Sequence, residues 1–320
     1  MRYLITGGAG FIGSHLAEHL AKDGHEVVVL DDLSTGKREN LEDAGEGIRL
    51  IVGSVTDPAI VRSALAGVDC VFHEAAMTSV ERSVREPRAA HDINATGTVN
   101  LLLAAAEAGV RRVVFAGSSS AYGDLSVPPS SESDPTHPRS PYAASKLAAE
   151  QYCQALQATH GLEPVVLRYF NVFGPRQDPN SQYAAVIPKF IAAAVAGVRP
   201  TIFGDGGQTR DFVHVANVVR ANVLASRAPA AKVAGQVINV GSGRSLSVND
   251  LWQRIREAVG VELEPEYLET RLGDVRDSVA SIAKARELLG FKPAVSFEEG
   301  LKGTVASLWQ RRGRRLALAT

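Results

Sequence analysis

MRYLITGGAGFIG, residues 1–13, decides how the rest of the chain is read. Arg2 to Thr6 is a short apolar run suited to a buried strand. From there Phe11, Ile12, Leu16 and Leu20 recur at helical spacing as far as Lys22. Between the two, Gly8, Gly10 and Gly13 satisfy G-x-G-x-x-G, with Gly7 as an extra glycine. Glycines in this setting permit a tight turn and let a pyrophosphate approach backbone N–H groups at the positive end of the helix. Gly13 lets helix and strand pack closely. A glycine triplet alone would say little, because many turns contain one.

Working outward, a second apolar strand, His25 to Leu30, ends at Asp31, about 20 residues on, where the fingerprint wants an acid for an adenosine ribose. Asp31 would repel a 2′-phosphate, so the sequence predicts NAD in preference to NADP; Lys37 and Arg38, further into the loop, read as solvated cations. Strand-like runs at Ile48–Val52, Val68–Phe72, Arg112–Phe115 and Pro164–Tyr169 alternate with helical segments at Pro58–Leu65, Arg88–Ala108 and Tyr142–Thr159. That alternation predicts an α/β fold, a doubly wound parallel sheet with ligands at the carboxyl ends of its strands. Ser118 to Pro141, with Pro128, Pro129, Pro135, Pro138 and Pro141 among serines and acids, breaks the pattern, and a loop this long is usually functional. After Asn171 the alternation weakens, and Gly204, Gly206 and Gly207 punctuate an irregular second lobe; Phe212–Ser226 and Gln236–Gly241 read as one more helix and strand returning to the first.

A chain of 320 residues, 45% hydrophobic, can bury a large core and predicts one large and one smaller domain. With 34 basic and 35 acidic residues it carries no electrostatic footprint for nucleic acid, so small anionic ligands must be held by local arginines. Cys70 and Cys153, without Cys or His at ligand spacing, read as packed thiols of a reducing compartment, and no metal site is expected. No cleavable signal pattern and no run of eighteen apolar residues is present, so the expectation is a soluble cytoplasmic protein without a membrane partner.

The chemistry gathers at PYAASK. Tyr142 and Lys146 lie four apart and share a helix face, so both can address one ligand. A free tyrosine near pKa 10 is a poor base at neutral pH, but an adjacent ammonium and a positive nicotinamide ring favour the phenolate. On an arbitrary helix such a pair would usually be solvated; this one follows the functional loop on the helix after the fifth strand. That strand runs into Gly117-Ser118-Ser119-Ser120-Ala121-Tyr122-Gly123. Ser118 would lie at the sheet's carboxyl edge, where its hydroxyl can give and accept a proton.

TGGAGFIG, SSSAYG, YAASK and RYFNVFGPRQ together resemble the extended short-chain dehydrogenase/reductase family, specifically its nucleotide-sugar epimerases and dehydratases. The resemblance spans nearly the whole chain. It implies a tightly held NAD and a Rossmann domain, here 1–171 with 209–241. It also implies a smaller α/β domain for the nucleotide sugar, here 172–208 with 242–320, and a homodimer formed through Arg88–Ala108 and Tyr142–Thr159. The catalytic residues it implies are Ser118, Tyr142 and Lys146. Around NAD it implies Gly7, Gly10, Phe11, Ile12, Gly13, Asp31, Asp32, Ser34, Thr35, Gly36, Ser54, Val55, Ala75, Ala76 and Tyr169, with Asn94 bracing the central strands. Two departures stand out: Ser54 where the family commonly has an aspartate facing adenine, and Glu74 where an apolar residue is usual.

For the substrate the resemblance implies Arg210 and Arg271 as the diphosphate clamp, a role that suits arginine's planar fork. It adds Asn171 toward the diphosphate, Asp274 toward the nucleoside ribose, and Val186 with Phe203 beside the base. Thr78, Ser118 and Ser119 would face the sugar. The pattern resembles uridine-binding members, and thymidine diphosphate sugars stay open. The family's dehydratases carry an Asp-Glu pair, and its UDP-glucuronate decarboxylases a glutamate, where this chain has Ser119 and Ser120, and eliminating water needs an acid and a base. The expected cycle is therefore oxidation and re-reduction at one carbon, the C4 epimerisation of a UDP-hexose. UDP-glucuronate epimerisation, a dTDP-sugar dehydratase or reductase, and a non-catalytic NAD-binding regulator remain as alternatives. Ser278, small where the family can place tyrosine near the sugar's C2 substituent, would admit plain and N-acetylated sugars alike.

Overall fold

A computed structural model of the chain describes residues 1–42, 47–124, 127–179, 185–270 and 275–317. It opens with β1 (Arg2–Thr6), α1 (Phe11–Lys22), β2 (Glu26–Asp31), α2 (Glu39–Glu42), β3 (Ile48–Val52), α3 (Pro58–Ala64) and β4 (Cys70–His73). Next come α4 (Val80–Arg85), α5 (Pro87–His91), a π-helical turn at Asp92–Thr96, α6 (Gly97–Glu107), β5 (Arg112–Ser118), α7 (Pro141–His160) and β6 (Glu163–Tyr169). The second half holds β7 (Asn171–Phe173), α8 (Val186–Ala196), β8 (Thr201–Phe203), β9 (Thr209–Arg210), β10 (Phe212–His214), α9 (Val215–Arg227), α10 (Ala230–Val233) and β11 (Val237–Val240). It closes with β12 (Leu246–Ser247), α11 (Val248–Val259), β13 (Glu266–Leu268), β14 (Asp277–Ser278), α12 (Ala283–Leu289) and α13 (Phe297–Ala317).

Seven parallel strands form one sheet in the order β11-β6-β5-β4-β1-β2-β3. The chain winds outward from β1 to β3, then returns and winds the other way from β4, so the crevice between β1 and β4 is where the order reverses and a ligand fits. Both faces are covered, which is why β4 and β6 are buried at successive positions rather than at alternate ones. On one face Leu16, Leu20, Val218 and Ala221 pack against Tyr3, Ile5 and Val27; on the other Val61, Leu101 and Ala149 pack against Leu4 and Val28. Each such large side chain contributes roughly 1.5–3 kcal/mol. A third core of Phe190, Ile191, Trp252, Ile255 and Leu301 holds α8, α11 and α13 together beyond the sheet.

The expected elements are present, with three differences that have physical causes. The helix expected over Arg88–Ala108 is three pieces, because the π-helical turn Asp92–Thr96 interrupts it. There Asn94 bonds sideways to Met77 and Ser145, and a Cβ on Gly97 would stand 2.7 Å from Val55 Cγ2, so the helix is pressed onto its neighbours where it widens. Phe212–His214 is a strand paired with β7, not the start of a helix; His214 caps α9 by accepting from the Ala216 N–H. Both cysteines are buried, as packed thiols should be. Ala285, Leu289 and Phe291, on and just after α12, pack into the core of the first lobe, a return that assigning all of 242–320 to the second does not anticipate.

Candidate active site

One crevice of about 1180 Å³ runs from the glycine loop to the second lobe. At its inner end stand Ile12, Glu74, Ala76, Tyr142, Lys146 and Tyr169; Ser118, Ser119 and Thr78 line the middle; Asn171, Val186, Phe203, Arg210 and Ser278 line the far end. The sequence thus brings together residues from β1's loop to β14 that lie up to most of the chain apart.

The glycine loop has the shape a dinucleotide needs. Gly7 adopts φ +67°, and a Cβ there would stand 2.6 Å from the Ala75 nitrogen; one on Gly13 would stand 2.3 Å from the Gly7 carbonyl oxygen. Gly36 lies so close to Asp31 that a Cβ would meet its carboxylate at 2.7 Å. No side chain caps α1 and no acid lies in its first turn, so its leading N–H groups keep the positive field that suits a pyrophosphate. Asp31 is buried and accepts from the Ala9 and Leu33 N–H groups at 2.9 and 2.8 Å. Burial pushes its carboxyl above the usual range against those bonds. These residues fit NAD: backbone for the phosphates, Asp31 for the ribose.

Around that core, Asp32 accepts from the Ser34 N–H and hydroxyl, Thr35 is exposed on the same loop, and Ser54 pairs with Thr56 at 2.9 Å. Val55 is buried, Phe11 half-buried. Asn94 is buried and spends its amide within the protein, accepting from the Met77 N–H and donating to Met77 and Ser145, so it acts as a brace. Arg271 and Asp274 lie outside the described residues.

Local sequence places Ser118, Tyr142 and Lys146. Ser140 caps α7 by accepting from the Ala143 N–H, Pro141 opens the helix, and Tyr142 follows in its first turn, its N–H donated to buried Ser83 Oγ at 3.0 Å. Lys146, one turn on, is 4% exposed, with Nζ 4.5 Å from the centre of the Phe115 ring. Ser118 ends β5 and lies 2.8 Å from Ser120 Oγ, with its hydroxyl near enough to the Tyr142 phenol to lower its pKa. Burial pushes the Tyr142 phenol up, and the Ser118 hydroxyl pulls it back. Lys146 itself is pushed down to about 8 by burial, against the pull of Glu74.

At the far end Arg210 Nη1 donates to the Thr209 carbonyl at 2.8 Å. Sequence reasoning missed the residue that holds this end together. Fully buried Asp211 accepts from the Ser242 and Gly243 N–H groups and from Ala280, while its own backbone bonds Asn171 and Ser278. An acid directly after Arg210 in QTRDFVH was the available signal. Lys189, Arg199 and Gln208 also line the crevice without a motif to announce them. The proline-rich loop is pinned across the lobes: Ser130 bridges Ala280, and Tyr122 donates to Asn239 at 2.7 Å. Among the described residues no cluster of metal-ligating side chains occurs, and no helix is long and apolar enough to cross a membrane.

Comparison with known proteins agrees with this geometry. The model of the NAD dependent epimerase/dehydratase family matches residues 3–241. A UDP-glucose 4-epimerase of Mycolicibacterium smegmatis is 44% identical over 310 residues, 95% of this chain and 97% of that protein. The structure of a Thermotoga maritima UDP-glucose 4-epimerase with UDP-glucose superposes with a TM-score of 0.93 at 40% identity, covering 98% of this chain and all of that one. A UDP-N-acetylglucosamine 4-epimerase from Methanobrevibacter ruminantium, solved with UDP-N-acetylmuramic acid, gives 0.92 at 40% identity, over 97% and 98% of the two chains. A glycine cradle, a Ser-Tyr-Lys cluster on the crevice wall and a match over most of the sequence lead to one statement: the chain belongs to the NAD dependent epimerase/dehydratase family.

Proposed function

We propose that the protein is a UDP-hexose 4-epimerase that interconverts UDP-glucose with UDP-galactose and, through the small Ser278, their N-acetylated counterparts. The observation that carries this reading is the crevice wall itself: Ser118, Tyr142 and Lys146 line it together, and the two positions after Ser118 are serines. Among the described residues the acids lining the crevice are Glu74, held by Tyr169, and Asp277, bonded to Thr209. Neither stands where an elimination would need its acid and base.

Bound NAD supplies the acceptor and then the donor of a hydride at C4 of the sugar. Tyr142 takes the proton of the C4 hydroxyl as that carbon is oxidised, with Ser118 sharing the hydrogen bond, and returns it when the turned 4-keto sugar is reduced on its other face. Lys146 places a buried positive charge beneath this exchange. Asn171 and Arg210 would hold the diphosphate, with Val186 and Phe203 beside the uracil, while the hexose turns. Two copies would pair across α6 and α7, where Leu103 and Tyr152 are exposed.

The test is to incubate purified protein with UDP-glucose, UDP-N-acetylglucosamine and UDP-glucuronate separately, without added NAD, and to resolve the products by chromatography. Formation of the C4 epimer of either of the first two supports the reading. Accumulation of a 4-keto-6-deoxy sugar, or turnover of UDP-glucuronate alone, would reject it.

A further inference from the structure

Glu74 is an acid on the cofactor side of the crevice that the proton transfer between Tyr142 and Ser118 does not use. It follows β4 directly. Its N–H donates to the Thr6 carbonyl at 3.0 Å, and a Cβ on Gly7 would meet its carbonyl carbon at 2.8 Å, so its main chain is locked against the glycine loop. The side chain is aimed as firmly. Tyr169 donates its hydroxyl to Glu74 Oε1 at 2.8 Å, and Asn222 Nδ2 donates to the Tyr169 oxygen at 2.7 Å and to the Val218 carbonyl at 2.9 Å. Asn222 is fully buried and Tyr169 nearly so. A relay from α9 through β6 therefore ends on a carboxylate that faces the crevice.

The same crevice is lined by a buried cation, Lys146. Among the described residues Lys146 makes no ion pair; its ammonium lies over the Phe115 ring, and the Glu74 charge is what supports it against burial. The other titratable groups packed around this floor are Tyr142 and Cys153 on α7, Tyr169 on β6 and His73 on β4; α9, β1 and β5 contribute Asn222, Thr6, Phe115 and Ser118. Burial pushes Tyr142, Tyr169 and Cys153 up and holds His73 neutral, down to about 3. Burial also raises Glu74 to about 7. Between pH 6 and pH 9 the charge of the floor is thus set by Glu74 and Lys146.

We propose that Glu74 is a positioning residue for hydride exchange: aimed by Tyr169 and Asn222, it keeps Lys146 charged and favours the cationic, oxidised form of the bound dinucleotide over the neutral, reduced one. This rests on the epimerase reading, in which the hydride must be handed back in every cycle. An oxidised nicotinamide carries a positive charge that its reduced form lacks, so a nearby negative charge stabilises the first, and the low dielectric of the crevice strengthens the effect. Above the titration of Lys146 near pH 8, where the ammonium is already largely neutral, removing the carboxylate leaves the floor more positive, and the bound ring becomes a better hydride acceptor.

The experiment uses the NAD-loaded protein and a chemical hydride donor, so it does not depend on which sugar is the substrate. Sodium cyanoborohydride is added, and the rise of reduced-nicotinamide absorbance at 340 nm is followed at pH 6 and pH 8.5 for wild type, Glu74→Gln, Glu74→Asp and Tyr169→Phe. The expected result is equal rates for wild type and E74Q at pH 6, and a rate several-fold higher in E74Q at pH 8.5. Glu74→Asp, which keeps the charge but is one methylene short of Tyr169, and Tyr169→Phe, which frees the carboxylate from its aim, should both fall between. Equal or slower reduction of folded E74Q at pH 8.5 overturns the proposal. Should E74Q not fold, a Tyr169→Phe rate at pH 8.5 no higher than wild type overturns it instead. Failure of the sugar incubations with these reduction rates as expected would remove the epimerase reading and leave the role of Glu74 toward the cofactor standing.

Discussion

At the scale of single residues, the proposed base is a phenol that its surroundings hold protonated. Burial raises Tyr142, and within the protein the Ser118 hydroxyl is what lowers it. Two outcomes follow from that balance. Tyr142→Phe keeps the packing of α7, so the protein should fold and retain its dinucleotide, while kcat drops by about 10²–10⁴ for loss of the proposed general base. Ser118→Ala removes the hydroxyl that favours the ionised phenol, so Tyr142 titrates higher and the acid limb of kcat/KM moves to higher pH. A Ser118→Ala profile that overlays the wild type would show that the serine has no hold on the phenol.

At the scale of elements, the glycine loop and the strap beneath β4 are the parts whose geometry leaves least room. A methyl group on Gly13 would collide with backbone, the Gly7 carbonyl oxygen and the Gly8 Cα, whereas on Gly10 it would stand 3.1 Å from that same Gly7 oxygen. Gly13→Ala should therefore lose bound NAD and a large part of its stability. Gly10→Ala should melt closer to wild type, as differential scanning calorimetry with and without NAD would register. The first turn and α1 were legible because the motif encodes a contact between backbones, and so were β5, α7 and their Ser-Tyr-Lys cluster, which periodicity and spacing place on one edge. What could not be read was whatever depends on sideways contact between distant segments. The widening at Asp92–Thr96, the strand at Phe212–His214, the Asp211 hub and the floor under Glu74 all arise from tertiary hydrogen bonds that leave no period in the sequence. The strap itself is His73, which shares hydrogen bonds with Thr6 at 2.6 Å and Thr98 at 2.8 Å and so ties β4 to β1 and α6. Burial lowers its pKa to about 3, and burial lowers His15, at the Pro175 carbonyl, to about 4. Unfolded, both histidines bind protons below about pH 6.5. Stability present above that pH is thus lost as pH falls from 6.5 toward these folded values, by up to about 1.4 kcal/mol per pH unit for each. Urea midpoints between pH 7 and pH 5 should fall on acidification, and less steeply in a His73→Asn variant that folds.

At the scale of the whole molecule, the question is how a chain whose sheet is covered on both faces still presents apolar side chains to solvent. Leu103 on α6 and Tyr152 on α7 are 37% and 48% exposed, and these two helices pack side by side on the same face of the sheet. Single exposed apolar residues are ordinary on any protein, but large ones on adjacent helices are what an interface between identical copies requires, since a two-fold axis doubles whatever patch one copy offers. Neither residue touches the crevice, so pairing can be tested apart from catalysis. Leu103→Glu with Tyr152→Glu places like charges on both sides of such an axis, where they would repel across a desolvated surface. In sedimentation velocity the wild-type protein should run at twice the chain mass and the double variant at the mass of one chain. The variant should keep the bound NAD and the thermal melt of a folded protein. A wild type that sediments as a single chain at micromolar concentration would refute the pairing, and a double variant that still sediments as a dimer would move the interface away from α6 and α7.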